Sequence, residues 1–229
     1  MIAFKPISNF FELFYPRICE SCNDNLVKNE EVLCTRCLLE LPFTHFQYDA
    51  DNDVARIFWG RVPVKRAASL FYFHKEGHVQ KLLHKLKYKD QPEIGIYLGK
   101  LIGYQLQGTG FNETEVIVPV PLHLKKRRKR GYNQCEYIAR GMSEVMNKPV
   151  NTSALRRVIA NPSQTKRHRY ERWLNAENVF KLTKPDQVKD KHVLLVDDVV
   201  TTGATLESCV SELLKGEGTS VSIITVAHA

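Results

Sequence analysis

Residues Val193 to Thr205 constrain this chain more than any other stretch. Val193-Leu194-Leu195-Val196 is an unbroken apolar run, the pattern of a strand buried on both faces of a parallel sheet. Asp197 and Asp198 stand at its carboxyl end. Thr201, Thr202, Gly203, Ala204 and Thr205 then form a small, hydroxylated turn. Leu206, Val210, Leu213 and Leu214 follow at helical spacing. Strand, acidic pair, turn and helix together specify an α/β unit. Open α/β sheets take ligands in the crevice at the carboxyl ends of their strands.

Each part has a chemical use. The turn can aim backbone N–H groups and three hydroxyls at an anion, and a helix N-terminus adds partial positive charge. Gly203 lets the backbone approach a ligand closely. A phosphate suits the turn, and two carboxylates beside it suit vicinal hydroxyls or Mg²⁺, a cation with oxygen ligands. A phosphate next to a diol is a ribose phosphate. A solvated Asp-Asp turn with an N-capping Thr is the plainer alternative, but capping accounts for one Thr and not the run. The stretch resembles the motif by which type I phosphoribosyltransferases bind phosphoribosyl pyrophosphate (PRPP). In that family the acidic pair holds the ribose hydroxyls and the turn cradles the ribose phosphate.

The N-terminal region follows a different logic. Cys19-Glu20-Ser21-Cys22 and Cys34-Thr35-Arg36-Cys37 give the spacing C-x₂-C-x₁₁-C-x₂-C, with room for a hairpin between the pairs. Cys19, Cys22, Cys34 and Cys37 can close a tetrahedral Zn²⁺ shell with no open position, which makes the site structural. Redox disulfides are the alternative. No stretch reaches the roughly 20 apolar residues of a membrane span. Pro6, Ser8, Asn9 and Glu12 interrupt any signal-peptide core, so a cytoplasmic, reducing location is expected, and metal before disulfides. Residues 7–15 read as a short helix stopped by Pro16. Asp49 to Asp53 is a polar, acidic boundary between a metal module over 1–50 and a larger domain over 51–229.

The larger domain alternates strand and helix patterns. Val64 to Phe73 reads as a strand; Val79, Leu82, Leu83 and Leu86 mark one helix, and a second runs from Ile94 to Leu106. Lys85, Lys87, Tyr88 and Lys89 gather where the first helix ends, either as a favourable cationic terminus or as ligand groups. Val116 to Pro121 is a second buried strand. Lys125, Lys126, Arg127, Arg128, Lys129 and Arg130 follow; mutual repulsion predicts a loop that seeks anions, whether ligand or nucleic acid, or a plain solvated run. Ile138, Met142, Val145 and Met146 mark a further helix, Ala154 to Ile159 a third strand, Asn178 to Leu182 a pairing strand, and Ser220 to Ala227 the last. Cys135 and Cys209 fall within helical patterns and read as core packing. The net charge of +8 favours anionic partners, and 43% hydrophobic residues suffice for a core.

The order of cysteine knuckles, Val-Pro-Val-Pro-Leu, Arg-Gly-Tyr-Asn-Gln, Ser-Gln-Thr with a basic tail, and the acidic motif is similar to the ComF family, which is linked to natural competence and DNA uptake. The resemblance covers nearly the whole chain. It implies a zinc ribbon joined to a type I phosphoribosyltransferase fold, a parallel sheet with flanking helices and a small hood. It implies PRPP as ligand with Mg²⁺: Asp197 and Asp198 on the ribose, Thr201 to Thr205 on its phosphate, and Val120, Pro121, Leu122 and His123, with Lys87, at the pyrophosphate. Asn161 to Trp173 resembles the loop that closes over PRPP in amidophosphoribosyltransferases. Residues 1–50 leave no room for a glutaminase half, so glutamine-dependent amination is not expected. Two functions follow: phosphoribosyl transfer to an acceptor that no motif names, or a non-enzymatic module. In the second, the pocket is a sensor, and the zinc ribbon and Lys125 to Arg130 hold single-stranded DNA or a competence protein.

Overall fold

The computed structural model describes residues 16–158 and 179–229. The expected helix over 7–15 and the expected closing loop Asn161–Trp173 lie outside them. The helices are α1 (Thr35–Leu39), α2 (Asp53–Arg56), α3 (His78–Tyr88), α4 (Pro92–Leu106), α5 (Leu124–Arg130), α6 (Gln134–Met146) and α7 (Ala204–Leu213). The strands are β1 (Ala67–Tyr72), β2 (Val116–Pro119), β3 (Leu155–Arg157), β4 (Phe180–Leu182), β5 (His192–Val200) and β6 (Ser220–His228). Among the described residues no helix is long and apolar enough to cross a membrane.

A four-stranded sheet has the order β1-β6-β5-β2, and every pair in it is parallel. β5 is central, as its apolar run requires. Its residues alternate between two cores. Val193 and Leu195 pack with Leu206, Val210 and Leu213 of α7. Leu194 and Val196 pack on the other side with Leu98 and Ile102 of α4 and Ile138 and Met142 of α6. Each fully buried aliphatic side chain stabilises the fold by roughly 1.5–3 kcal/mol. β2 ends at Pro119, earlier than the expected Pro121, and Val120 N–H makes the last bond to β5, donating to Val196 O at 2.9 Å. β3 and β4 form a separate antiparallel pair, and their Leu155 and Phe180 cover α7.

α4 and α6 approach so closely that their glycines leave no room for a side chain. A Cβ at Gly99 would lie 2.0 Å from Ile138 O, and one at Gly141 would lie 2.0 Å from Ile96 O. This contact fixes α6, whose N-terminus faces the carboxyl end of β5.

The basic run corrects an expectation: Lys125 to Arg130 is helix α5, not a loop. Lys and Arg are good helix formers, and local caps hold the turn. His123 Nδ1 accepts from Lys125 N–H at 3.2 Å, and Gly131 ends the helix at φ 86°. No residue of α5 is buried, so its cations spread into solvent and their repulsion is screened. Arg127 also pairs with Glu136 at 3.4 Å.

The cysteine knuckles share the sheet's core. Cys19, Val32, Leu33, Cys37 and Leu41 pack in the same apolar cluster as Leu82 and Leu86 of α3. Lys85 of α3 pairs with Glu20 at 2.8 Å, and Phe43 bridges to Phe71 of β1. Ile18 and Asn25 make a single antiparallel bridge across the first knuckle, and among the described residues no strand ladder forms the hairpin expected between the two pairs.

Candidate functional site

β5 carries Asp197 and Asp198 into the floor of a cavity of about 330 Å³. Its walls are the β2–α5 connection (Val120, Pro121 and Leu122), the end of α3 (Lys87 and Tyr88), and the start of α6 (Asn133 to Cys135). Lys126 and Arg130 of α5, Arg157 of β3, and Val199 and Thr205 complete it. The strand pleat would send neighbouring side chains to opposite faces. Here one oxygen of each carboxylate and Cys135 Sγ all lie within 4.8 Å of one another.

Both acids are buried, at 9% and 7% exposure, yet each has partners. Asp198 Oδ2 accepts from Lys87 Nζ and from Gln134 Nε2, each at 2.8 Å. Asp197 Oδ1 accepts from the Asp198 N–H at 2.9 Å and from Cys135 Sγ at 3.3 Å. Burial, then the charge of Asp198, pushes the Asp197 carboxyl up to about 7; the Asp198 N–H, Cys135 and Lys87 pull the other way. Burial also raises the Cys135 thiol well above its ordinary range, so it donates as a neutral group. Asp197 therefore holds its proton to a higher pH than an ordinary carboxyl does.

The Arg-Gly-Tyr-Asn-Gln stretch builds the wall facing these acids. Asn133 caps α6, accepting from Cys135 N–H at 3.2 Å, and donates to Val120 O at 3.0 Å. It thereby ties the β2–α5 connection to α6. Tyr132 donates its hydroxyl to Leu86 O, which fixes the end of α3. Arg130 donates to Gln134 Oε1 and lies 5.4 Å from the centre of the Tyr88 ring. Arg130, Gln134 and Asp198 thus form one chain of hydrogen bonds. Gln134, Asn133, Cys135 and Arg157 were not singled out as site residues from the sequence, whereas Tyr88, read with the lysines at the end of its helix, lines the cavity. The only available signal was that Asn133 and Gln134 follow the basic run within the family motif.

The other expected site residues are divided. Val120, Pro121, Leu122 and Lys87 line the cavity, and His123 caps α5 instead. Lys87 holds Asp198. Of the basic run, Lys126 and Arg130 line the cavity; Lys125, Arg127, Arg128 and Lys129 do not. Of the turn, Thr205 lines it, while Thr201, Thr202 and Ala204 are exposed beside it. Gly203 sits at φ 75° at the N-cap of α7, with no side chain satisfying the first amides. A Cβ there would lie 2.5 Å from Ile57 Cγ2, so its small size serves packing under the turn. Arg61 secures the turn from below: it donates to Thr202 O at 2.8 Å and pairs with Glu207.

The four knuckle cysteines also converge, with all their sulfur atoms within 4.8 Å of one another. Cys22 Sγ and Cys34 Sγ are 3.7 Å apart. Zn–S bonds of about 2.3 Å would set the edges of a tetrahedron at about 3.8 Å, whereas a disulfide needs about 2.0 Å. All four are free thiols. Burial raises the Cys19 thiol, but backbone N–H groups of Cys22, Cys34 and Ser21 outweigh it and bring it down to about 7. The set can hold a metal ion such as zinc. Cys209 is buried in the core as expected; Cys135 is buried too, but against Asp197.

Comparison with known proteins agrees with this architecture. Residues 133–229 match the model of the phosphoribosyl transferase domain. The competence protein ComFC of Bacillus subtilis is 36% identical over 115 residues, 50% of this chain and 45% of that protein. The DNA utilization protein YhgH of Salmonella typhimurium is 30% identical over 210 residues, 90% of this chain and 88% of that protein. The chain belongs to the ComF family. Among solved structures, the allosteric regulatory enzyme of purine biosynthesis is 18% identical, with a TM-score of 0.44, over 62% of this chain and 30% of that chain. The parallel sheet of this ComF chain, with helices on both faces, is the type I phosphoribosyltransferase fold, and the clustered cysteines are its N-terminal addition.

Proposed function

We propose that this ComF-family chain binds PRPP with Mg²⁺ in the Asp197–Asp198 cavity and transfers phosphoribosyl to an acceptor, in the service of competence or DNA utilization. The observation that carries the reading is a buried acidic pair beneath a rim of cations. Asp197 and Asp198 accept from the ribose hydroxyls, and the amides and hydroxyls of Thr201 to Thr205 hold the ribose phosphate. Lys126, Arg130, Arg157 and the Val120–Leu122 connection face the pyrophosphate. Lys87 neutralises Asp198 in the free protein and turns to the pyrophosphate when the sugar arrives. The bond from the anomeric carbon to pyrophosphate breaks, its electron pair leaves with pyrophosphate, and a nucleophile bonds to that carbon from the opposite face. Mg²⁺, when bound, neutralises charge on the departing group. The protein's part is preorganised charge, which needs no nucleophilic side chain.

On the same reading the cysteines hold a structural zinc in a module over residues 1–50, the transferase-like domain spans 51–229, and the chain works in the cytoplasm. The test is calorimetric titration of PRPP, with and without Mg²⁺, alongside pyrophosphate release with candidate bases and amines. Asp197→Asn and Asp198→Asn should each weaken binding about tenfold or more and leave zinc content unchanged. A wild-type protein that ignores PRPP removes the proposal. Tight binding without release for any acceptor leaves the second reading, a non-enzymatic sensor that also holds nucleic acid. That reading has its own support: Lys125, Arg128 and Lys129 are exposed, with no acidic partner at salt-bridge distance among the described residues.

A further inference from the structure

Helix α5 is unusual in serving two places at once. Lys126 and Arg130, one turn apart, line the cavity, while Lys125, Arg128 and Lys129 are exposed on the same helix outside it. A helix is about 10 Å across, a distance that roughly three nucleotides span at 3.4 Å per residue of a stacked strand. A polyanion that enters the cavity therefore meets a second row of cations as it leaves.

We propose that the cavity and the outer face of α5 form one site for the 3′-hydroxyl end of single-stranded DNA. This rests on the reading that Asp197 and Asp198 accept from sugar hydroxyls. The size of the cavity selects an end. About 330 Å³ is near the lower limit of ligand pockets and accommodates one nucleotide, not a strand passing through. Its floor is closed by the two acids and by Cys135 and Gln134. The chemistry of the floor selects which end. Inside a strand, and at a 5′ end, the 3′ oxygen is esterified and would bring a phosphodiester against two carboxylates. In DNA only the 3′-terminal sugar keeps a free ring hydroxyl that donates to them. Lys125, Arg128 and Lys129 then follow the backbone phosphates of the preceding nucleotides, contacts that are independent of sequence. Tyr88, 66% exposed at the rim, is placed to meet a base there.

The experiment uses the full chain and a short single-stranded oligonucleotide labelled at its 5′ end, followed by fluorescence anisotropy. The 3′-hydroxyl form should bind about tenfold or more tighter than the 3′-phosphate form, and PRPP should displace it. An unlabelled circular single strand should compete poorly. K125S/R128S/K129S should lower oligonucleotide affinity and reduce the salt dependence by about 2 in slope, since each lost phosphate contact removes about 0.7. The same variant should bind PRPP like the wild type. Equal affinity for hydroxyl, phosphate and circular forms overturns the inference. A PRPP titration in the same buffer separates the two levels. PRPP binding without end preference overturns only this inference, and no PRPP binding overturns the reading beneath it and this one with it.

Discussion

Asp197 is under two opposing demands, and its protonation shows which one folding meets. Its carboxyl ionises near 3.8 when unperturbed and at about 7 in the folded chain, chiefly because it is buried. Over that window the folded chain keeps a proton that the unfolded chain has lost. The stability tied to this group is therefore complete below about pH 4 and falls as pH rises towards 7. Asp197→Asn keeps an oxygen for the Asp198 N–H and removes the charge. In urea unfolding the variant should match the wild type near pH 4 and exceed it at pH 7, while PRPP affinity falls. A stability difference that does not change between those pH values would refute this account. The adjacency of Asp197 and Asp198 was visible in the sequence. Their pairing with Lys87 and hydrogen bonding by Gln134 and Cys135 were not, because those residues arrive from α3 and α6 through the fold.

Elements succeed or fail here by local and tertiary rules in different proportions. The apolar runs of β2, β5 and β6 and the 3.6-residue periods of α3, α4 and α6 were readable, since burial repeats with backbone geometry. The basic run was misjudged because charge repulsion was weighed without the caps, His123 and Gly131, that favour a helix. The α4–α6 contact could not be foreseen, because glycine spacing does not say which backbone will come near. Gly99→Ala and Gly141→Ala each place a methyl group 2.0 Å from a facing carbonyl oxygen. Each should destabilise the protein by about 1–3 kcal/mol, read as a lower denaturant midpoint at an unchanged slope. Because α6 carries Gln134 and Cys135, the same variants should also weaken PRPP binding. Normal stability in both would mean that the helices can part without loss.

On the scale of the whole molecule, the cysteine knuckles and the sheet form a continuous core. Cys19, Leu33 and Cys37 lie in one apolar cluster with Leu70, Phe71 and Leu82. Stripping metal from the cysteines should therefore lower the Tm of the main unfolding transition and not merely abolish a small separate one. Calorimetry with and without a chelator, with zinc content measured in parallel, checks this. A main transition that stays in place would show that the knuckles are energetically independent. The sequence suggested two units from the acidic stretch at Asp49 to Asp53, a signal that carries no information about packing across it.

The sequence by itself determined the family, the parallel α/β plan, the four clustered thiols that can hold a metal and the acidic pair with its turn. All of these rest on contiguous residues or on periodicity, which the chain states locally. Only the tertiary structure decided how the site is charged and enclosed. It brought Lys87 and Gln134 onto Asp198, set Cys135 beside Asp197, and divided the basic helix between cavity and solvent. Those relations depend on where remote segments meet once the core is packed, and no local pattern encodes a distance across it.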